Sequence, residues 1–156
     1  MPAAPAPPTR RAQVVGLGLV GASIAGGLRA RGWTVTGSDR DSVRAARAAE
    51  LGAIDRVGQD NEADIAFVAT PASAVVSVAR EVLATGGDKL IVTDVAGVKA
   101  PIVAELDHPR FVAGHPMAGS EQEGPDGADP ELFVGATWVL TPTDHTDPAA
   151  FTALQS

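Results

Sequence analysis

The chain has 156 residues, 45% of them hydrophobic and 20% charged, which is enough apolar material for one ordinary core. It contains no cysteine, which excludes disulfides and thiolate metal sites and suits a reducing cytoplasm. Its net charge of −7 argues against a nucleic-acid surface or an anionic membrane as partner.

The charge is unevenly placed. Residues 1–58 carry eight Arg against four acids, and residues 59–156 carry four basic residues against fifteen acids. Solvated helix faces explain this better than a phosphate-attracting field. The opening MPAAPAPPTRR has four prolines and no apolar stretch, so residues 1–12 read as a disordered leader rather than a signal peptide. The most apolar window, Ile65 to Ala79, is too short and too interrupted to span a bilayer. A soluble, cytoplasmic protein is expected, with residues 13–156 forming one domain.

From there short β-branched runs alternate with longer helical ones, the pattern of βαβ units around a parallel sheet. Strands are predicted at Gln13–Val15 and Thr34–Gly37. The helix between them, about Leu19 to Arg31, repeats Val20, Ile24 and Leu28 on one face and stops at Gly32. A second helix, about Ser42 to Leu51, ends against Gly52, and a weak strand follows near Ile54. Ile65–Ala69 reads as a buried strand ended by Pro71, Ala72–Leu83 as a helix and Leu90–Thr93 as a strand. Val98–Leu106 reads as a helix with Pro101 in its first turn, and Phe111–Ala113 and Thr137–Leu140 as two further strands. Asp147 and Pro148 open a last helix that stops after barely two turns, so the chain reads as cut short of a second domain that would close over the sheet.

Chemistry concentrates at two places. VVGLGLVGAS sets Gly16, Gly18 and Gly21 between the first strand and the first helix. In such a G-x-G-x-x-G loop the backbone turns tightly, a pyrophosphate approaches the second glycine unobstructed, and the helix N-terminus faces the anion. The whole loop, Gly16, Leu17, Gly18, Leu19, Val20 and Gly21, is the predicted cofactor cradle. Asp39, eighteen residues after Gly21, can accept from ribose hydroxyls and repel a 2′-phosphate, which favours NAD. Arg40 beside it leaves NADP open, because a guanidinium stacks on adenine or binds that phosphate. A capped glycine turn without ligand is the plain alternative.

The second place is GHPMAGSEQEGPDGADPELFVGATWVLTP, Gly114 to Pro142. With GLGLVG at Gly16–Gly21, VATP at Val68–Pro71, TDVAGVK at Thr93–Lys99, GHPMAGSE at Gly114–Glu121 and LFVGATWVLTP at Leu132–Pro142, the chain from about Gln13 onward resembles the prephenate dehydrogenase family, which includes the arogenate dehydrogenases. The resemblance implies a Rossmann-type, doubly wound, mostly parallel α/β domain, followed in the family by a helical domain that binds substrate and forms a homodimer. It implies NAD(P)-dependent oxidative decarboxylation of prephenate to 4-hydroxyphenylpyruvate in tyrosine biosynthesis, with arogenate as the alternative substrate. His115 matches the catalytic base, Thr70 and Pro71 end a strand beside the nicotinamide ribose, and Ser120 and Glu121 fall near the substrate. The plainer readings are a loop-capping His115, a strand terminator at Thr70–Pro71, and a solvated acidic loop from Glu121 to Glu131. Lys99 is retained in the D-x-x-S-x-K segment, without a role being evident. Gly97 stands where many members carry a hydroxyl that orients the histidine. His108 and His145 lack metal-ligand spacing and read as surface residues. Another Rossmann-fold hydroxyacid or imine oxidoreductase, and a non-catalytic nucleotide-binding fragment, are the rival readings. This chain alone is expected to bind NAD and to turn over prephenate weakly or not at all.

Overall fold

A computed structural model describes residues 1–118 and 122–156. Parallel strands β1 (Arg11–Val15), β2 (Thr34–Ser38), β3 (Arg56–Val57), β4 (Ile65–Val68), β5 (Ile91–Asp94) and β6 (Phe111–Pro116) are joined by β7 (Trp138–Thr141), which runs antiparallel to β6. Their spatial order is β3-β2-β1-β4-β5-β6-β7. The chain leaves one edge after β3 and re-enters beside β1, so the connections after β1 and β4 diverge. A crevice opens between them at the carboxyl ends of the strands.

Helices α1 (Leu19–Ala30) and α2 (Ser42–Glu50) belong to the β1–β2–β3 half, and α3 (Val75–Thr85) and α4 (Ala100–Glu105) to the β4–β5–β6 half. Each half has its own apolar cluster. One gathers Val14, Leu17, Ile24, Val35 and Ile54; the other gathers Val68, Val75, Leu83, Val92 and Phe111. A short α5 (Pro148–Gln155) begins at the expected cap, where the Asp147 carboxylate accepts from Ala149 N at 2.9 Å. Asp41 caps α2 in the same way. Both helix stops at glycine hold: Gly32 and Gly52 lie at φ +86° and +75°.

Several elements depart from the sequence expectation, each for a physical reason. The first strand begins at Arg11, inside the expected leader, because Arg11 and Ala12 pair with Thr34 and Val35. The Arg11 guanidinium is also anchored on the buried Asp60 at 2.9 Å. The weak strand lies at Arg56–Val57; Ile54 precedes it as a core side chain. The third helix starts as a 3₁₀ turn at Ala72–Ala74 and runs on to Thr85, and the fourth covers only Ala100–Glu105. The buried face of α1 consists of Gly21, Ala22, Ser23, Ile24, Ala25 and Gly27, with Val20 and Leu28 at its margin. Small residues are needed there because the 122–136 segment presses on the helix. Pro130 sits 3.3 Å from where a Cβ on Gly26 would lie, and Asp129 N donates to Ser23 Oγ at 3.0 Å.

Four of the eight arginines in residues 1–58, namely Arg11, Arg29, Arg44 and Arg47, meet a carboxylate. Arg29 meets Asp55 at 2.9 Å, Arg47 meets Asp126 at 2.7 Å, and Arg44 lies 3.8 Å from Asp39. Among the described residues no helix is long and apolar enough to cross a membrane.

Candidate functional site

The glycine loop closes the carboxyl end of β1. Gly16 has φ +95°, and a Cβ on it would lie 2.5 Å from the Ala69 carbonyl oxygen, so only glycine lets the loop pass this close to the end of β4. A Cβ on Gly21 would lie 1.8 Å from Gly16 O, which fixes the close approach of α1 to its strand. At Gly18 nothing stands within 4 Å of that position. The second glycine therefore opens onto free space, and no side chain caps α1 there. Leu19, Val20 and Gly21 form the first turn, whose amides face outward as an anion cradle requires.

Asp39, expected to accept from ribose hydroxyls, is also bonded within the chain. Its Oδ2 accepts from Leu17 N at 2.8 Å and its Oδ1 from Asp41 N at 2.8 Å, with the side chain only 5% exposed. Its first task is to tie the glycine loop to the end of β2, a link reinforced by Gly16 N donating to Ser38 O at 2.8 Å. Each oxygen keeps a further lone pair for a ribose hydroxyl. Arg40 is exposed beside it.

Across the crevice, Thr70 follows β4 with its backbone N against Gly16 and its hydroxyl buried without a hydrogen-bond partner among the described residues. A buried hydroxyl left unpaired at such a site is a group waiting for a ligand atom or a water. Pro71, exposed, starts the 3₁₀ turn that leads into α3.

His115 was expected near a strand end; it lies within β6, opposite Val139. Sequence reasoning ended that strand too early, because the pairing that extends it comes from β7, more than twenty residues later in the chain. The imidazole is half-buried, its Nδ1 3.5 Å from the Val95 carbonyl oxygen. A Cβ on Gly97 would lie 3.6 Å from its Cε1 and 4.0 Å from its Nε2, so the ring faces the vacant side of that glycine. With Nδ1–H directed at a carbonyl, Nε2 is the nitrogen left to accept a proton.

Behind the histidine lie two charged groups whose connection the sequence did not disclose. Asp94 is fully buried at the end of β5, and Lys99 pairs with its Oδ2. The Lys99 Nζ also donates to Gly114 O at 2.7 Å, while Gly114 N donates to Asp94 Oδ1 at 3.0 Å. Burial pulls the Lys99 ammonium below its ordinary pKa, and the Asp94 carboxylate works against that shift. A carboxylate at a strand end with a lysine five residues later was the only available signal.

Ser120 and Glu121, the predicted substrate contacts, lie outside the described residues. His145 is exposed and bonded to Asp107 at 2.5 Å, and His108 Nδ1 accepts from Arg110 N at 3.1 Å, both away from the crevice. Among the described residues no group of three metal-binding side chains occurs. A groove of about 810 Å³ does not contain this chemistry. It lies along a sheet face between Trp33, Phe67, Trp138, Leu140, Phe151 and Leu154, with Arg10 and Arg31 also in its lining, and holds neither the glycine loop nor His115. The glycine loop, Thr70 and His115 gather at the crevice on the carboxyl edge of the sheet.

A doubly wound sheet with a glycine loop at its switch point and an uncapped helix N-terminus defines a Rossmann-type nucleotide-binding domain. The family model described as "Prephenate dehydrogenase, nucleotide-binding domain" matches residues 24–156. The prephenate dehydrogenase of Bacillus subtilis (strain 168) is 33% identical over 92% of this chain and 42% of its own length. The arogenate dehydrogenase of Synechocystis superposes with a TM-score of 0.83 at 39% identity, over 93% of this chain and 54% of that one. The prephenate dehydrogenase of A. aeolicus in complex with hydroxyphenyl propionate and NAD+ superposes with a TM-score of 0.87 at 28% identity, over 95% and 56%. The chain belongs to the prephenate dehydrogenase family. It spans less than half the length of the curated relatives it matches.

Proposed function

We propose that this chain is the nucleotide-binding part of an NAD-dependent prephenate dehydrogenase of tyrosine biosynthesis. The observation that carries this is His115, held in β6 at the same carboxyl edge as the glycine loop and Thr70. NAD+, when bound, supplies the two-electron acceptor. The residues fit it: Gly18 leaves room for the pyrophosphate, the first turn of α1 offers amides, Asp39 keeps lone pairs for a ribose, and the Thr70 hydroxyl awaits a partner. Asp39 favours NAD, and the exposed Arg40 is the group through which NADP would be admitted.

His115 Nε2 takes the proton of the C4 hydroxyl of the cyclohexadienol as that carbon is oxidised. The ring carboxylate opposite departs as CO2, and the ring becomes aromatic, which drives the step. The protein's share is therefore placement and one proton, and general-base help of this kind is worth about 10²- to 10⁴-fold in rate. Ser120 and Glu121 are retained as proposed substrate contacts from their motif positions. Residues 11–156, with Arg11 and Ala12 included in β1, are proposed to act as one cytoplasmic domain that works with a second, substrate-binding and dimer-forming part. This chain by itself is expected to bind NAD+ and to oxidise prephenate poorly.

Arogenate is the second reading, favoured by the 39% identity to the Synechocystis enzyme. The test is to assay the complete dehydrogenase with each substrate, following NADH and CO2. One NADH and one CO2 per prephenate, with a higher kcat/KM than for arogenate, supports the proposal. The reverse preference moves the enzyme to arogenate, and no decarboxylating oxidation of either sinks the assignment.

A further inference from the structure

Strands β5 and β6 pair only at Val92 with Phe111 and Thr93 with Val112; beyond these the two strands part. Gly114 turns its amide and carbonyl toward that gap, where a continued ladder would have met them with backbone. They meet side chains instead: Gly114 N donates to Asp94 Oδ1 at 3.0 Å, and Gly114 O accepts from Lys99 Nζ at 2.7 Å. The other carboxylate oxygen of Asp94 takes Lys99 Nζ and, at 3.0 Å, Ala96 N. One ion pair thus replaces two ladder bonds, holds the crevice edge open, and fixes the peptide unit that enters His115. On the far side His115 and Pro116 are paired with β7.

A side chain at 114 would undo this arrangement, since its Cβ would lie 2.9 Å from Asp94 O, Thr93 Oγ1 and Trp138 Nε1 alike. The His115 ring itself is lightly held. Among the described residues its ring is met by the Val95 carbonyl oxygen, 3.5 Å from Nδ1, in the loop between Asp94 and Lys99. Both the backbone before the ring and the carbonyl facing it therefore depend on the same pair. A buried ion pair contributes little net stability against an apolar replacement, so the return on burying this one is better sought in geometry.

We infer that Asp94 and Lys99 are positioning residues for His115, fixing the imidazole at the crevice by clamping Gly114 and the Val95 loop. The inference rests on the reading of His115 as the base, and the test separates the two. Lys99→Met leaves Asp94 buried without its cation, so Asp94→Asn/Lys99→Met, which removes both charges, is prepared beside it in case the single variant does not fold. Val82→Ala, in α3, serves as a control for general destabilisation. The ring resonances of the three histidines are assigned by NMR in the 156-residue chain, and kcat and KM are measured in the complete dehydrogenase.

The expected result is that the His115 ring resonances move in the clamp variants but not in Val82→Ala. With them kcat falls about tenfold or more, while the KM for NAD+ stays within about twofold, as misplacement of a catalytic group by an ångström predicts. His115 resonances that match the parent protein in a folded clamp variant overturn the inference. Resonances that move while turnover is unchanged leave the clamp standing and remove His115 from the chemistry.

Discussion

Gly97 leaves the imidazole of His115 with a vacant flank, and the spacing there is that of ordinary van der Waals contact: 3.6 Å and 4.0 Å from a Cβ to Cε1 and Nε2. A serine fits without displacing the ring, and its hydroxyl would lie beside Nε2. Gly97→Ser is expected to raise kcat severalfold if that hydroxyl holds the substrate alcohol against Nε2, with Gly97→Ala, which adds only the methyl, giving no gain. Side-by-side kinetics of the two decide it. Asp39 invites a second substitution. Asp39→Ala removes the acceptor from Leu17 N, and an amide left unpaired in a part-buried loop costs about 1–3 kcal/mol. Weaker NAD+ binding together with a lower thermal midpoint is the expected outcome, read by calorimetric titration and thermal melting. A carboxylate serving the ligand alone would affect binding without the melt.

Helix α1 shows how an element answers to what crosses it. In an exposed helix, Gly→Ala gains about 1 kcal/mol. At Gly27 the added Cβ would lie 2.9 Å from Pro130 O, a backbone atom that cannot simply turn aside. Gly27→Ala is therefore expected to lower the thermal midpoint by about 2–4 °C, the overpacking cost outweighing the propensity gain. The start of β1 depends on charge instead. Burial alone would raise the Asp60 pKa, but the hydrogen bond from Arg11 and the backbone donor at Glu62 outweigh it, and the carboxyl sits below its ordinary 3.8. A depressed carboxyl stabilises the fold fully above the unfolded value and loses that contribution as pH falls through the folded one. Below about pH 4 the stability of the parent protein should decline more steeply than that of Asp60→Asn, as denaturant melts across acidic pH would show. Equal slopes would mean that Arg11 and Asp60 contribute nothing to the strand's anchorage.

At the scale of the molecule, the alternation of strands and helices could be read from the sequence because a strand such as β4 is an apolar run and α1, α2 and α5 carry a cap or stop, as Asp41, Asp147, Gly32 and Gly52 show. The glycine loop was legible for the same reason, its function being written in three neighbouring positions. What stayed hidden depends on partners distant in the chain. The β6 extension that carries His115 needs β7; the small-residue face of α1 needs Pro130 and Asp129; the Asp94–Lys99 clamp needs the backbone of Gly114; and the bond by which Asp39 also holds Leu17 N spans twenty-two residues. The central claim concerns one imidazole at one nucleotide crevice. It is tested most directly by comparing the complete dehydrogenase with its His115→Asn variant for prephenate oxidation and for NAD+ affinity. The account predicts a loss of about 10²- to 10⁴-fold in kcat with an NAD+ Kd unchanged within about twofold; a variant that oxidises prephenate at the parent rate contradicts it.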